Sequence, residues 1–102
     1  MIHQLKLQKK WFEAKIEGRK PWELRLNDRN FAIGDYLGDN EIDADGKETG
    51  RFVVEKITNI VYPDEVPDGL AEGYVILSTV PCDVVAFEEL REDIDFKINV
   101  YG

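Results

Sequence analysis

Gly18-Arg19-Lys20-Pro21-Trp22-Glu23-Leu24-Arg25 contains a helix stop and a strand start within eight residues. Upstream of it, Lys9 to Glu17 carries Trp11, Phe12 and Ile16 at helical spacing, and Gly18 stands where a left-handed cap most often closes a helix. Downstream, Trp22 to Leu26 reads as a strand, and extended backbone sends alternate side chains to opposite faces. Trp22, Leu24 and Leu26 then share one face, expected to be core, while Glu23 and Arg25 share the other. Lys20, at the corner, can swing its ammonium over the charged face, so that three polar groups line one cleft.

The rest of the chain repeats short extended segments. Ile2 to Gln8 alternates, with His3, Leu5 and Leu7 on one parity, and predicts a first strand. Asn27-Asp28-Arg29-Asn30 predicts a turn through side-chain bonds to nearby backbone, and Tyr36 to Ile42 a third strand. Asp43 to Gly50 reads as a polar hairpin connection. Arg51 to Tyr62 is the longest β-rich run, and its pattern is broken. Val53, Ile57 and Val61 share parity with Glu55 and Asn59, whereas Phe52, Val54 and Ile60 take the other, the mark of a bulge or of strong coiling partway along. Pro63 to Gly69 predicts a loop and Gly73 to Val80 a fifth strand ending at Pro81. In the tail, 83–102, Phe87 to Arg91 predicts a helical turn and Phe96 to Tyr101 a strand. Five to six strands with one early short helix predict a mainly β (α+β) fold, a small bent barrel whose helix plugs one open end.

A chain of 102 residues is the size of one domain, here 1–102. Its 43% hydrophobic and 33% charged residues place it among globular proteins, away from disorder. No apolar run approaches the roughly 20 residues that span a bilayer, and Met1 to Lys10 alternates where a signal peptide would show an apolar block. No membrane partner is expected, and the location expected is cytoplasmic. The single cysteine, Cys82, cannot form an internal disulfide, which fits a reducing compartment.

Charge is unevenly spread. Residues 1–29 carry eight Lys or Arg and four Asp or Glu, giving +4, and residues 30–102 carry five and seventeen, giving −12, for the total of −8. Such a balance argues against coating duplex DNA through phosphate contacts. A small anion or one nucleotide can still be held beside the basic segment, because charges farther than a Debye length of about 8 Å are largely screened.

Several chemistries lack their residues. There is no phosphate-cradling glycine loop ending in Lys and Ser or Thr, no cysteine pair, no histidine pair at metal spacing and no Gly-x-Ser-x-Gly elbow. Asp43, Asp45 and Gly46 hint at a calcium loop, but the final bidentate ligand is missing. No metal and no cofactor is expected. His3, the one histidine, shares its parity with two leucines and reads first as a hydrogen-bonded strand residue. Lys20, Glu23 and Arg25 are the leading candidates: either a surface ion network, worth about 0–1 kcal/mol per pair, or a cleft in which Lys20 and Arg25 bind an anionic or carbonyl-rich ligand. Trp11, Trp22 and Tyr36 offer stacking surface or core.

Gly18-x-Lys20-x-x-Glu23-x-Arg25 resembles the motif of the ASCH domains, small barrels related to the PUA-like superfamily. The further likeness is to a bacterial and phage group, DUF3850. It rests on His3-x-Leu5-Lys6, Trp11-Phe12-Glu13-Ala14, Lys20-x-x-Glu23-x-Arg25-x-Asn27-Asp28-Arg29-x-Phe31, Ile33-Gly34-Asp35 and Gly73-Tyr74-Val75-Ile76-Leu77, and covers about 2–80. The resemblance implies a PUA-like barrel with a cleft under the early helix that binds RNA or nucleotides, with Lys20, Glu23, Arg25, Arg29 and His3 as ligand-binding residues. Some ASCH relatives are amidohydrolases using a lysine, a threonine three residues later and a distant glutamate. Here Lys20 fits the lysine and Glu23 stands at the threonine position, so that hydroxyl nucleophile is absent. Others are ribonucleases.

Three functions follow as expectations. The first is an RNA- or nucleotide-binding module. The second is a hydrolase of a modified nucleoside or RNA, with Glu23 as base and Lys20 stabilising negative charge as the catalytic pair. The third is a phage or mobile-element accessory protein whose acidic face, Asp64, Glu65 and Asp68, meets a host protein.

Overall fold

The computed structural model describes residues 1–82. Its strands are β1 (Ile2–Gln8), β2 (Trp22–Leu26), β3 (Tyr36–Ile42), β4 (Glu48–Val61) and β5 (Tyr74–Pro81), with α1 (Lys9–Ile16) between β1 and β2 and a 3-10 turn at Pro63–Glu65. The strands form one sheet in the order β1-β3-β4-β5-β2. Among the described residues β1 and β3 run parallel and the other neighbours are antiparallel. The sheet curls into a half-barrel, so the expected small α+β, mainly β architecture holds, with five strands among the described residues. The helical turn and strand expected in 83–102 fall outside the described residues.

Strands β1 and β5 each turn one parity inward. His3, Leu5 and Leu7 of β1 are buried, as the alternation predicts, and oppose Leu37, Asp39 and Glu41 of β3. Inward residues of β5 are Val75, Leu77 and Thr79. On β4 the pattern is broken: Val54, Glu55 and Ile57 are buried before the break and Ile60 after it, and the parity of Glu55 and Ile57 does not continue past it. The register explains this, because Ile57 pairs with Thr79 and Asn59 with Ser78, so two steps on β4 match one on β5. This bulge restores a continuous core from a sequence that cannot alternate cleanly. Leu5, Phe31, Leu37, Ile57, Ile60, Val75 and Leu77 make one apolar cluster. Full burial of such a side chain contributes roughly 1.5–3 kcal/mol.

Strand β2 departs from the sequence reading. Glu23 is buried and Arg25 half-buried, while Trp22, Leu24 and Leu26 are 43%, 51% and 50% exposed. The face expected to be core is the outer one. The cause is pairing: β2 lies antiparallel to β5 with Glu23 opposite Leu77 and Arg25 opposite Val75, both inward residues. The helix departs too. Phe12 and Ala14 are buried, whereas Trp11 and Ile16, expected on the same apolar face, are 39% and 52% exposed. The helix packs against β1 and β3.

Candidate functional site

Gly18, at φ +76°, ends α1 with a reversal that few other residues tolerate. Its N–H donates to the Lys15 carbonyl at 3.0 Å and the Arg19 N–H to the Ala14 carbonyl at 2.8 Å, satisfying carbonyls the helix leaves open. Lys15 then pins the corner: its Nζ donates to the carbonyls of Lys20 (3.0 Å) and Trp22 (3.3 Å) and to Glu55 Oε1 (3.0 Å). With the corner fixed, Lys20 lies with its side chain 9% exposed. Its Nζ donates to the Trp22 carbonyl at 3.0 Å and to Glu23 Oε2.

The two edges of the sheet, β1 and β2, face each other across a seam. Arg25 Nη2 crosses it to donate to the Lys6 carbonyl at 3.1 Å, and also lies 3.5 Å from Glu23 Oε1. Beside this line is a cleft of about 380 Å³ whose lining includes Trp11, Lys20, Trp22, Glu23 and Arg25. Lys20 Nζ sits 4.5 Å from the Trp22 ring centroid and 5.7 Å from that of Trp11, while Lys10 Nζ lies 4.6 Å from the latter. The cleft therefore carries a cation at its floor and aromatic surface at its mouth.

Lys20, Glu23 and Arg25 thus converge, in a hollow and not over a convex surface. Arg29 lines an adjoining hollow of about 470 Å³ that shares Lys6 and Arg25 with the cleft, and its Nε lies 3.8 Å from Asp28. His3 stands apart. Its Nε2 is 2.8 Å from Asp35 Oδ2 and its ring meets Phe31 edge-on at 4.8 Å. Burial acts to raise the Asp35 carboxyl, but the bonds from His3, the amino terminus and the Ala32 N–H outweigh it and hold Asp35 below its ordinary value.

The structure adds residues that spacing alone left unassigned. Asp39 of β3 is fully buried, and neither carboxylate oxygen has a hydrogen-bond partner. Burial pushes it well above the usual carboxylate range, and the neighbouring Glu55 and Glu23 push the same way against the pull of Lys15. Glu55 accepts from Lys15 and, at 2.7 Å, from the Thr79 hydroxyl, all through Oε1; its Oε2 has no partner. One oxygen each from Glu23, Asp39 and Glu55 falls within 4.8 Å of the others. These three are the residues that could hold a metal. The available signal was parity, since Asp39 shares the strand face of Leu37 and Glu55 that of Ile57.

No helix among the described residues is long and apolar enough to cross a membrane. A phage P2 protein, the uncharacterized 12.9 kDa protein in the GpA 3′ region of Escherichia phage P2, is 39% identical over 79 residues, covering 78% of this chain and 68% of that protein. The crystal structure of hypothetical protein PH0355 shares the fold, with a TM-score of 0.52 at 20% identity over 80% of this chain and all of that one. The family model described as a domain of unknown function, DUF3850, matches residues 2–79. With Lys20, Glu23 and Arg25 all inside that span, the chain belongs to the DUF3850 family.

Proposed function

We propose that the cleft binds a nucleotide or the end of a single-stranded RNA, with the base against Trp11 and Trp22 and a phosphate or base oxygen at Lys20 and Arg25. The observation that carries this reading is the placement of the Lys20 ammonium within 6 Å of both indole rings, in a hollow that Glu23 and Arg25 also line. Every nucleobase has a π-face, so exposed indoles offer sequence-tolerant stacking, and the nearby cations supply the complement to phosphate. The kinship with ASCH and PUA-like barrels belongs to the same proposal.

The surrounding charge limits such binding to a local contact, because the chain as a whole is at −8. Binding is favoured over hydrolysis by the state of Glu23. A general base needs a lone pair aimed at the proton it removes, and Glu23 Oε2 is engaged by Lys20 while Oε1 is buried away from the cleft's solvent. The test is a tryptophan-fluorescence titration with mononucleotides and short single-stranded RNAs. Saturable quenching that weakens in Lys20→Ala and Arg25→Ala, with a shallower salt dependence, supports the proposal; unchanged affinity in both variants, or no saturation, ends it.

A further inference from the structure

We propose that Glu23, Asp39 and Glu55 form an internal site for one hard divalent cation, of the kind that Mn²⁺, Mg²⁺ or Ca²⁺ represents. The four buried oxygens Glu23 Oε1, Asp39 Oδ1, Asp39 Oδ2 and Glu55 Oε2 make no hydrogen bond. They belong to three carboxylates whose ligand atoms come within 4.8 Å of one another. The other oxygens of the two glutamates have partners: Lys20 holds Glu23 Oε2, and Lys15 and Thr79 hold Glu55 Oε1. Each glutamate is therefore oriented through one oxygen and keeps the other available to an ion, as outer partners orient metal-binding carboxylates. The ligands sit on β2, β3 and β4, which are joined through one sheet and so form a preset cage.

Charge and chemistry select the ion. Lys15 and Lys20 answer two of the three carboxylates, and Asp39 is the one with no cation bonded to it. Arg25, at the rim, spends its hydrogen bond on the Lys6 carbonyl and only approaches Glu23 at 3.5 Å. An ionised carboxylate left unanswered in the interior is costly. A proton shared by Asp39 and Glu55 would settle two of the four oxygens, whereas a cation in the centre takes one or more from each carboxylate. All-oxygen ligands suit hard ions, and two oxygens on opposite sides of such an ion lie about 4–5 Å apart at ordinary bond lengths, which brackets the observed spread.

The test uses the full chain, stripped with a chelator and titrated with Mn²⁺ by calorimetry and by loss of the free-ion paramagnetic resonance signal. The expected result is one Mn²⁺ per chain and a melting temperature that rises with Mn²⁺ concentration. Asp39→Asn and Glu55→Gln should each weaken uptake at least tenfold, with folding checked by circular dichroism, while Trp11→Ala, which alters the cleft mouth and no ligand, should bind Mn²⁺ as wild type does. Failure of RNA binding leaves this result untouched, so the two proposals fail separately. Absence of uptake at millimolar Mn²⁺ overturns the site in favour of a shared proton. Equal uptake by wild type and Asp39→Asn overturns it in favour of exposed acids elsewhere.

Discussion

Lys15 Nζ and Glu55 Oε1 meet at 3.0 Å across forty residues of chain, each side chain only 5% exposed. This contact ties the end of α1 to the middle of β4 and, through the same ammonium, to the carbonyls of Lys20 and Trp22. The corner that aims Lys20 into the cleft is therefore held from inside the barrel.

Lys15→Met should destabilise by about 3–5 kcal/mol, since it strands a buried carboxylate and frees two carbonyls at once. The double variant Lys15→Met, Glu55→Leu should recover most of that loss, because a buried ion pair exchanged whole for apolar groups is often neutral. Urea unfolding in chelator measures both. A double variant no more stable than the single one would show that the corner carbonyls, not the ion pair, set the cost.

Leu24 and Leu77 are both leucines in adjacent strands, but one is 51% exposed and the other fully buried. Leu77→Ala should cost roughly 2–5 kcal/mol through lost transfer energy and a residual cavity. Leu24→Ala should stay within about 0.5 kcal/mol, as surface substitutions usually do. Equal losses in a denaturant series would restore the outer face of β2 to the core.

This contrast marks how far the sequence can be read. Strand β1 was legible because His3, Leu5 and Leu7 alternate with Gln4, Lys6 and Gln8, and β5 because Tyr74, Val75, Ile76 and Leu77 form an apolar run between Gly73 and Pro81. The break in β4 was legible as well, and the register shift at Ile57 and Asn59 supplies its geometry. The facing of β2 was not, because Trp22, Leu24 and Leu26 are the more apolar set, and only the register against β5 and the lysines at the corner turn Glu23 inward. Convergence of Lys20, Glu23 and Arg25 was readable from their spacing. Asp39 and Glu55 were not, since each joins the site through cross-strand neighbours far away in sequence.

Thr58 lies inside the β4 bulge and its side chain faces outward. Deleting it should abolish the extra step and swing either Ile60 or the Glu55–Ile57 segment to the wrong face, since a one-residue slip inverts every side chain. The expected outcome is loss of the cooperative thermal transition by circular dichroism. Thr58→Ala, which keeps the residue count, should melt close to wild type.

Trp11 and Trp22 are each about two-fifths exposed, so their removal should leave the fold nearly unchanged. Stacking of one base on an aromatic side chain contributes about 1–3 kcal/mol by alanine substitution. Trp11→Ala and Trp22→Ala should therefore weaken RNA binding by roughly five- to a hundred-fold, with melting temperatures within a few degrees of wild type. Fluorescence anisotropy of a labelled RNA checks this without relying on the indoles themselves. Unaltered affinity in both variants would remove the stacking surface from the proposed site.

Glu41 gives the fold a defined acid sensitivity. Arg51 grips it twice, Nη2 to Oε2 at 2.6 Å and Nε to Oε1 at 3.0 Å, and Thr49 donates to Oε1 at 2.6 Å. The hydrogen bonds from Arg51, then that from Thr49, hold the Glu41 carboxyl down at about 2, against an ordinary 4.5. A depressed folded value means that the unfolded chain binds the proton first as pH falls. The contribution is thus complete above about 4.5, declines through the interval down to about 2, and is gone below it. Arg51 also reaches Glu13 at 2.8 Å, so the same guanidinium fastens α1 to β3. Arg51→Met should lower the urea midpoint clearly at pH 7, and the gap from wild type should close as pH drops from 4.5 toward 2. A gap that persists undiminished at pH 2 would assign the effect to the packing of the Arg51 side chain on Phe12, whose ring centroid lies 4.9 Å from the guanidinium carbon, and not to the charge on Glu41.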